Sequence, residues 1–214
     1  GLAQSDEEMK EWLTSNKPNW GSKWQAGDVK YKDLTGEGEV TPGASTLENH
    51  GDLKRIGNNS PRYRVGLNLD AAWKGIDFSI FFQGVLKRDW MFDAGDPYFW
   101  GAGSGMWQAA CFEEHMDYWT PENTDAYYPK PYFNETKNQQ AQDAYMQKAS
   151  YLRCKNIQLG YTLPTHITEK AGISNCRIYL SCDNLFTITG LSSVYDPEVF
   201  GSYDEIGRAS CRER

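Results

Sequence analysis

The stretch Arg62–Lys87, RYRVGLNLDAAWKGIDFSIFFQGVLK, decides the fold. Tyr63, Val65, Leu67, Leu69, Ala71 and Trp73 fall on one side of an extended chain, and Arg62, Arg64, Gly66, Asn68 and Asp70 on the other. Successive side chains of a strand point to opposite faces, so the alternation predicts a strand with one apolar and one polar side. Lys74 and Gly75 interrupt it. Beyond them Ile76, Phe78, Ile80, Phe82 and Leu86 alternate with a set that includes Asp77, Ser79 and Gln83. A two-residue break is the length of a tight hairpin. Each strand also has about the length a tilted strand needs to cross a bilayer, roughly 9 to 11 residues.

A second pair follows the same rule. Asn156, Gln158, Gly160 and Thr162 alternate with Ile157, Leu159, Tyr161 and Leu163, until Pro164, which cannot donate to a ladder, stops the strand. After a short turn over 164–175, Ile178 and Leu180 alternate with Arg177, Tyr179, Ser181 and Asp183 in a strand expected to end near Phe186. Two architectures fit: a soluble β-sandwich with its apolar faces inward, and a membrane barrel with its apolar face toward lipid. Alternation alone leaves both open. The connections favour the barrel, because a long segment precedes Arg62, a tight turn joins the first hairpin and a very long segment spans about 87–150. Barrels of the outer membrane have short turns at one end and long loops at the other, whereas a structureless connection beyond roughly 12 to 15 residues is uncommon in a compact domain.

Bulk composition narrows the function classes. The 214 residues carry a formal net charge of -7, and the mean hydropathy is -0.70. That balance is wrong for a nucleic-acid surface, which calls for clustered Lys and Arg. No run approaches the roughly 18 to 20 consecutive apolar residues of a spanning helix. Cys111, Cys154, Cys176, Cys182 and Cys211 form no CxxC pair, and His50, His115 and His166 are scattered, so no zinc site and no cofactor is expected. Ser5 with Glu8 makes a capping box that predicts a helix starting near Asp6.

Two further stretches bear on chemistry. Asp33, Thr35, Glu37 and Glu39 resemble the first half of a calcium loop, but Ala44 stands where a bidentate carboxylate belongs, so an acidic external turn is the plainer reading. The segment 87–150 gathers Trp90, Phe92, Tyr98, Phe99, Trp100, Trp107, Tyr118, Trp119, Tyr127 and Tyr128 among Gly, Asp and Asn. Such rings suit sugar faces or peptide side chains, and equally suit packing of the loop on itself or on a partner. Glu113, Glu114, His115 and Asp117 have no nucleophile motif beside them, so no enzyme is expected.

Particular words of the sequence then carry a family likeness. GDVKYKDLTGEGEV (Gly27–Val40) and IGNNSPRYRVGLNLDAAWKGIDFSIFFQG (Ile56–Gly84) resemble the late barrel region of SusC/RagA-type TonB-dependent transporters. YWTPENTDAYYPK (Tyr118–Lys130), ASYLRCKNIQLGYTLP (Ala149–Pro164) and RIYLSCDNLFTITG (Arg177–Gly190), with DPE at Asp196–Glu198, are similar to the same family in the same order. The resemblance implies an all-β chain, part of an antiparallel transmembrane β-barrel of roughly 22 strands with long extracellular loops. It implies import of oligosaccharides or peptides, energised through a TonB complex and shared with a SusD-like surface lipoprotein, in contact with outer-membrane lipid. Residues 1–205 would be the C-terminal part of the barrel, without the plug, earlier strands or final strands. A soluble carbohydrate-binding β-sandwich module is the alternative. Trp107, Trp119, Asn123, Asp125, Tyr127 and Tyr128 are the candidate ligand- or partner-binding loop residues. Residues 206–214, IGRASCRER, share neither composition nor pattern with the rest and read as a non-native tail.

Overall fold

A computed structural model describes residues 1–104 and 111–199 of the chain, which form two compact units. One comprises residues 1–57 and 91–146, and the other begins at Asn58, runs to Trp90 and resumes at Gln147. In chain order the elements are α1 (Asp6–Ser15), β1 (Lys17–Pro18), β2 (Glu39–Val40), β3 (Arg62–Trp73), β4 (Ile76–Lys87), β5 (Asp89–Trp90), β6 (Gln147–Thr162), α2 (Thr165–Thr168) and β7 (Arg177–Gly190). Several single 3-10 turns lie between them.

The strand unit is an antiparallel sheet ordered β3-β4-β6, with β7 and the short β5 also pairing with β6. The hairpin between β3 and β4 turns on Lys74 and Gly75, both at positive φ (49° and 86°), as a two-residue turn matched to strand twist requires. A Cβ at Gly75 would lie 2.9 Å from the Thr162 carbonyl, so glycine is needed there twice over. Register puts the expected apolar residues side by side. Leu69, Ile80, Ile157 and Cys182 form one row across four strands; Ala71, Phe78, Leu159 and Leu180 form the next; Trp73, Ile76, Tyr161 and Ile178 form the last. The opposite face reads Asn68, Phe81, Asn156, Asp183 and then Asp70, Ser79, Gln158, Ser181.

The apolar face is bare among the described residues. Leu67, Leu69, Leu159 and Leu180 are 52%, 49%, 52% and 70% exposed. A sandwich would have covered these positions against a second layer. The sheet is open here, with β3 and β7 at its edges. The fourth strand also runs past Phe186 to Gly190, correcting the expected end, because Leu152 and Arg153 supply partners for Ile188 and Thr187. That extension was hidden by a register shift on each strand, between Cys154 and Asn156 on β6 and near Asn184 (φ 52°) on β7. At the β6 shift the parity of the polar residues changes from odd (Arg153, Lys155) to even (Asn156, Gln158), which keeps one face polar throughout.

On the polar face, Arg177 holds Asp77 through Nε at 3.0 Å and Nη2 at 2.5 Å, across the intervening Gly160. A Cβ at Gly160 would sit 2.5 Å from the Asp77 carboxylate, so the bare backbone of β6 is what lets the pair close. Further along, Arg153 donates to Thr187 Oγ1 (2.7 Å), Asp196 (2.8 Å) and Glu198 (2.6 Å), and Lys155 also reaches Glu198 (2.9 Å). The DPE carboxylates are therefore tied down on the sheet.

The second unit has little regular structure, and its core is correspondingly unusual. The helix begins as expected: Ser5 Oγ accepts from Glu8 N (3.1 Å), while the Glu8 carboxylate takes the Gln4 N–H (2.6 Å) in place of the Ser5 N–H of a strict box. It buries Met9. Elsewhere the segments are joined by polar groups and rings, as the candidate site shows.

Candidate functional site in the loop unit

Two segments about a hundred residues apart in sequence are locked together by Lys137 and Asp28, both fully buried and 2.9 Å apart. The ammonium also donates to the carbonyls of Ser22 (3.2 Å) and Lys23 (3.1 Å) and lies 4.1 Å from the centre of the Tyr132 ring. Its three donors are thus spent, which is the condition for a charge to sit in an interior. The Asp28 carboxylate takes Asn138 Nδ2 (2.8 Å) and Gln25 N (2.8 Å). The Lys137 carbonyl accepts from Trp20 Nε1 (3.1 Å) and the Tyr31 hydroxyl (3.0 Å). Burial pushes the Tyr31 phenol well above its ordinary range. Nothing in the sequence flagged Lys137 or Asp28; a lone Lys in a polar run looks like a solvated one.

Beside this lock lies the segment Tyr118–Lys130. Asp117 organises it: one carboxylate oxygen accepts from Asn123 Nδ2 (3.0 Å), the other from Tyr127 N (3.1 Å), and its carbonyl from Tyr128 N (3.0 Å). Trp119 N–H donates to the Tyr128 carbonyl (3.0 Å). These bonds sort the candidate residues into two classes. Trp119 and Tyr128 are buried, at 4% and 6% exposure, whereas Asp125 is exposed and Tyr127 is 41% exposed. Trp119 lies flat on Gly27, where an added Cβ would be 2.4 Å from the indole. Tyr128 joins a cluster with Phe99, Trp100 and Tyr145, including Phe99 edge-on to Trp100 at 4.8 Å. Much of the aromatic load is thus a loop core. Asn123 closes the turn rather than facing outward, and Trp107 lies outside the described residues, as do residues 206–214.

Asp125 and Tyr127 both border an open cleft of about 1090 Å³, with Lys30, Tyr31, Gln142 and Asp143 on its walls. Its lining mixes rings, amides and charges of both signs, a set able to hold polar chains of sugar or peptide type. Lys30 pairs with Glu8 there, and that contact holds the Glu8 carboxyl below its usual range. The acidic turn is arranged differently from a cation loop. Asp33 accepts from Gly36 N (2.5 Å) and Gly38 N (2.8 Å), and Asp52 from Leu34 N (2.6 Å) and Thr41 N (2.8 Å). The Gly38 and Gly36 N–H groups lower the Asp33 carboxyl. Among the described residues no group of three or more His, Cys, Asp or Glu converges as metal ligands would. Of the acidic group at 113–117, His115 is buried and Asp117 serves the loop.

No protein-family model matches the chain. Two curated proteins of Formosa agariphila do: TonB-dependent receptor P3, 30% identical over 172 residues, and TonB-dependent receptor P26, 25% identical over 172 residues. Each match covers 80% of this chain but only 15% and 16% of those relatives, so the chain spans about a sixth of their length. Among solved structures, the RagAB peptide importer in the open-open state aligns over 85% of this chain and 17% of its own, at 23% identity and a TM-score of 0.52, which speaks for the fold. The RagAB peptide transporter aligns over 62% of this chain and 14% of its own, at 29% identity and a TM-score of 0.46. The hairpins and the loop signature meet the relatives at one conclusion: this chain belongs to the TonB-dependent receptors.

Proposed function

We propose that the chain is part of an outer-membrane importer, with its strand unit in the barrel wall and its loop unit supplying groups that capture ligand. The observation that carries this reading is the continuous apolar face of the β3-β4-β6-β7 sheet, uncovered and backed by a polar face. Lipid satisfies the first and a lumen the second. Unpaired edges cannot remain in hydrocarbon, so β3 and β7 would each pair with a neighbouring strand of the parent barrel. Trp73 and Tyr161 at the hairpin end, and Tyr63 at the other, suit the two interfacial aromatic girdles.

On this reading ligand capture is coupled to the inner membrane through TonB, and a SusD-like lipoprotein shares the outer loops. The ligand is an oligosaccharide or a peptide, held in part by the cleft that Asp125 and Tyr127 border. The test is alanine at Asp125 and Tyr127 in the full-length receptor; both are accessible, and Tyr127 stands at the edge of the ring cluster, edge-on to Tyr128 at 4.9 Å and to Tyr145 at 5.4 Å. Uptake by whole cells should fall several-fold at unchanged receptor level. Unchanged uptake together with unchanged lipoprotein association would refute the assignment of this loop.

A further inference from the structure

The acidic turn builds one wall of the cleft that Asp125 and Tyr127 border. Asp52 takes the N–H groups of Leu34 (2.6 Å) and Thr35 (3.1 Å) on one carboxylate oxygen and that of Thr41 (2.8 Å) on the other. Its own N–H donates to the Thr41 carbonyl at 2.7 Å. These bonds fix the chain at Leu34 beside the chain at Asp52 and Leu53, and both leucines line the cleft together with Ile56. All three side chains are open to solvent, Leu34 at 45%, Leu53 at 49% and Ile56 at 38%. A turn whose Asp33 and Asp52 carboxylates are spent on backbone N–H groups thus presents aliphatic side chains to the cleft.

The charges on the same lining are unspent and of both signs. Among the described residues no hydrogen bond or ion pair engages the Lys32 or Lys54 ammonium or the Asp125 carboxylate, and all three residues are exposed. Asp143, exposed as well, acts through space on the Gly1 amino group. By contrast the Trp20 indole and the Tyr31 hydroxyl donate to the Lys137 carbonyl, and Gln142 Nε2 donates to the carbonyls of Asn138 and Gln140. The neutral groups left over, such as the Thr124 hydroxyl, serve a sugar hydroxyl and a peptide backbone equally. The aliphatic side chains and the charges discriminate. A sugar hydroxyl pressed onto a leucine loses water without gaining a partner. A neutral oligosaccharide answers none of the charges, and an acidic one answers only the lysines. A peptide carries aliphatic side chains and both charges on one chain.

We propose that the cleft selects peptides, seating an aliphatic side chain against Leu34, Leu53 and Ile56 and favouring charged residues of both signs through Lys32, Lys54, Asp125 and Asp143. The inference rests on the import reading and narrows its ligand to one class.

The test uses the full-length receptor, immobilised in detergent, and two probe sets. One is a mixture of pentapeptides acetylated and amidated at their ends and randomised at the three central positions; the other is neutral oligosaccharides from starch, xylan and mannan. Retained material is compared with its input by mass spectrometry. Peptides should be retained saturably, with Leu, Ile and Val and the charged residues enriched roughly threefold or more, and oligosaccharides should pass through as they do without receptor. Leu34→Ser combined with Leu53→Ser should abolish the aliphatic enrichment at an unchanged thermal unfolding midpoint. Asp125→Asn combined with Asp143→Asn should abolish the enrichment of Lys and Arg. Absence of saturable peptide retention, retention without either enrichment, or an aliphatic enrichment that survives the double leucine substitution overturns the proposal. Should that variant fail to fold, the Asp125 and Asp143 variant decides: persistent enrichment of Lys and Arg overturns the proposal and its loss supports it. Saturable retention of the oligosaccharides overturns the inference and leaves the import reading standing, whereas unchanged whole-cell uptake in the receptor with alanine at Asp125 and Tyr127 counts against the import reading itself.

Discussion

A charge placed at two depths on the apolar face separates lipid from every other environment. Ile157 lies on the central strand β6, paired with Ile80 and Cys182, in the row that includes Leu69 of β3. Ile178 lies in the row of Trp73, Ile76 and Tyr161, beside the hairpin. The rows are four residues apart on β6, about 13 Å at 3.3 Å per residue, and a strand tilt of about 40° leaves about 10 Å along the membrane normal. The apolar band of such a barrel is about 25 Å tall, so a row near its middle and a row about 10 Å away differ nearly as much as centre and interface. Ile157→Arg should therefore destabilise the full-length receptor by about 2 to 4 kcal/mol and Ile178→Arg by about 0 to 1 kcal/mol. Gln158→Arg, one residue along on the polar face between Ser79 and Ser181, should be close to neutral. The assay is guanidinium unfolding of the receptor in phospholipid vesicles, comparing variants. In a soluble sandwich the penalty would follow packing rather than depth. Equal costs for Ile157→Arg and Ile178→Arg, or a cost under about 0.5 kcal/mol at Ile157, the size of an ordinary surface change, would refute the lipid-facing assignment.

Three further outcomes test the energetics. Gly160→Ala should shift the same vesicle unfolding curve only slightly, because the Asp77 and Arg177 groups it meets are the ends of flexible side chains that can part, while Gly66→Ala, whose Cβ would meet nothing nearer than 3.6 Å, should leave it in place. Lys137→Met should destabilise the loop unit by about 3 to 5 kcal/mol, since it strands the Asp28 carboxylate; limited proteolysis should cut within 20–32 and 130–142 first, and adding Asp28→Leu should restore much of the resistance. The Asp33 carboxyl is lowered by the N–H groups of Gly38 and Gly36, so its support of the turn is complete above the unfolded value near 3.9 and disappears as pH falls through the lower folded value. Amide exchange at Gly36 and Gly38, corrected for intrinsic rates, should accelerate over that acidic window, and Asp33→Asn should remove the dependence.

The strands were legible because a face that meets one solvent leaves a period in the sequence. Tyr63 to Trp73 and Ile76 to Phe82 alternate, with Ala72 and Phe81 as the apolar exceptions on the polar side, and the register pairs them as the pattern implies. Where the period failed, a physical event intervened. The shift at Lys155 reversed the parity of β6, so residues 147–154 belonged to the strand without joining its downstream pattern, and β7 lost its visible continuation at Asn184.

The loop unit was illegible for the opposite reason. Its stability rests on contacts between residues distant in sequence, such as Asp28 with Asn138 and Trp20 with the Lys137 carbonyl, and such pairs leave no local period to read. Its aromatic residues announced a concentration of rings without saying which faced inward. The geometry divides them: rings beside a backbone that only glycine permits, Trp119 over Gly27 and His115 over Gly101, are structural anchors, while Tyr127 and Asp125 reach the cleft. A loop that must stay ordered without strands and still present groups to a ligand has to spend most of its large side chains on itself. The chemistry of recognition then falls to the few left over, and they are found only once the anchors have been identified and set aside.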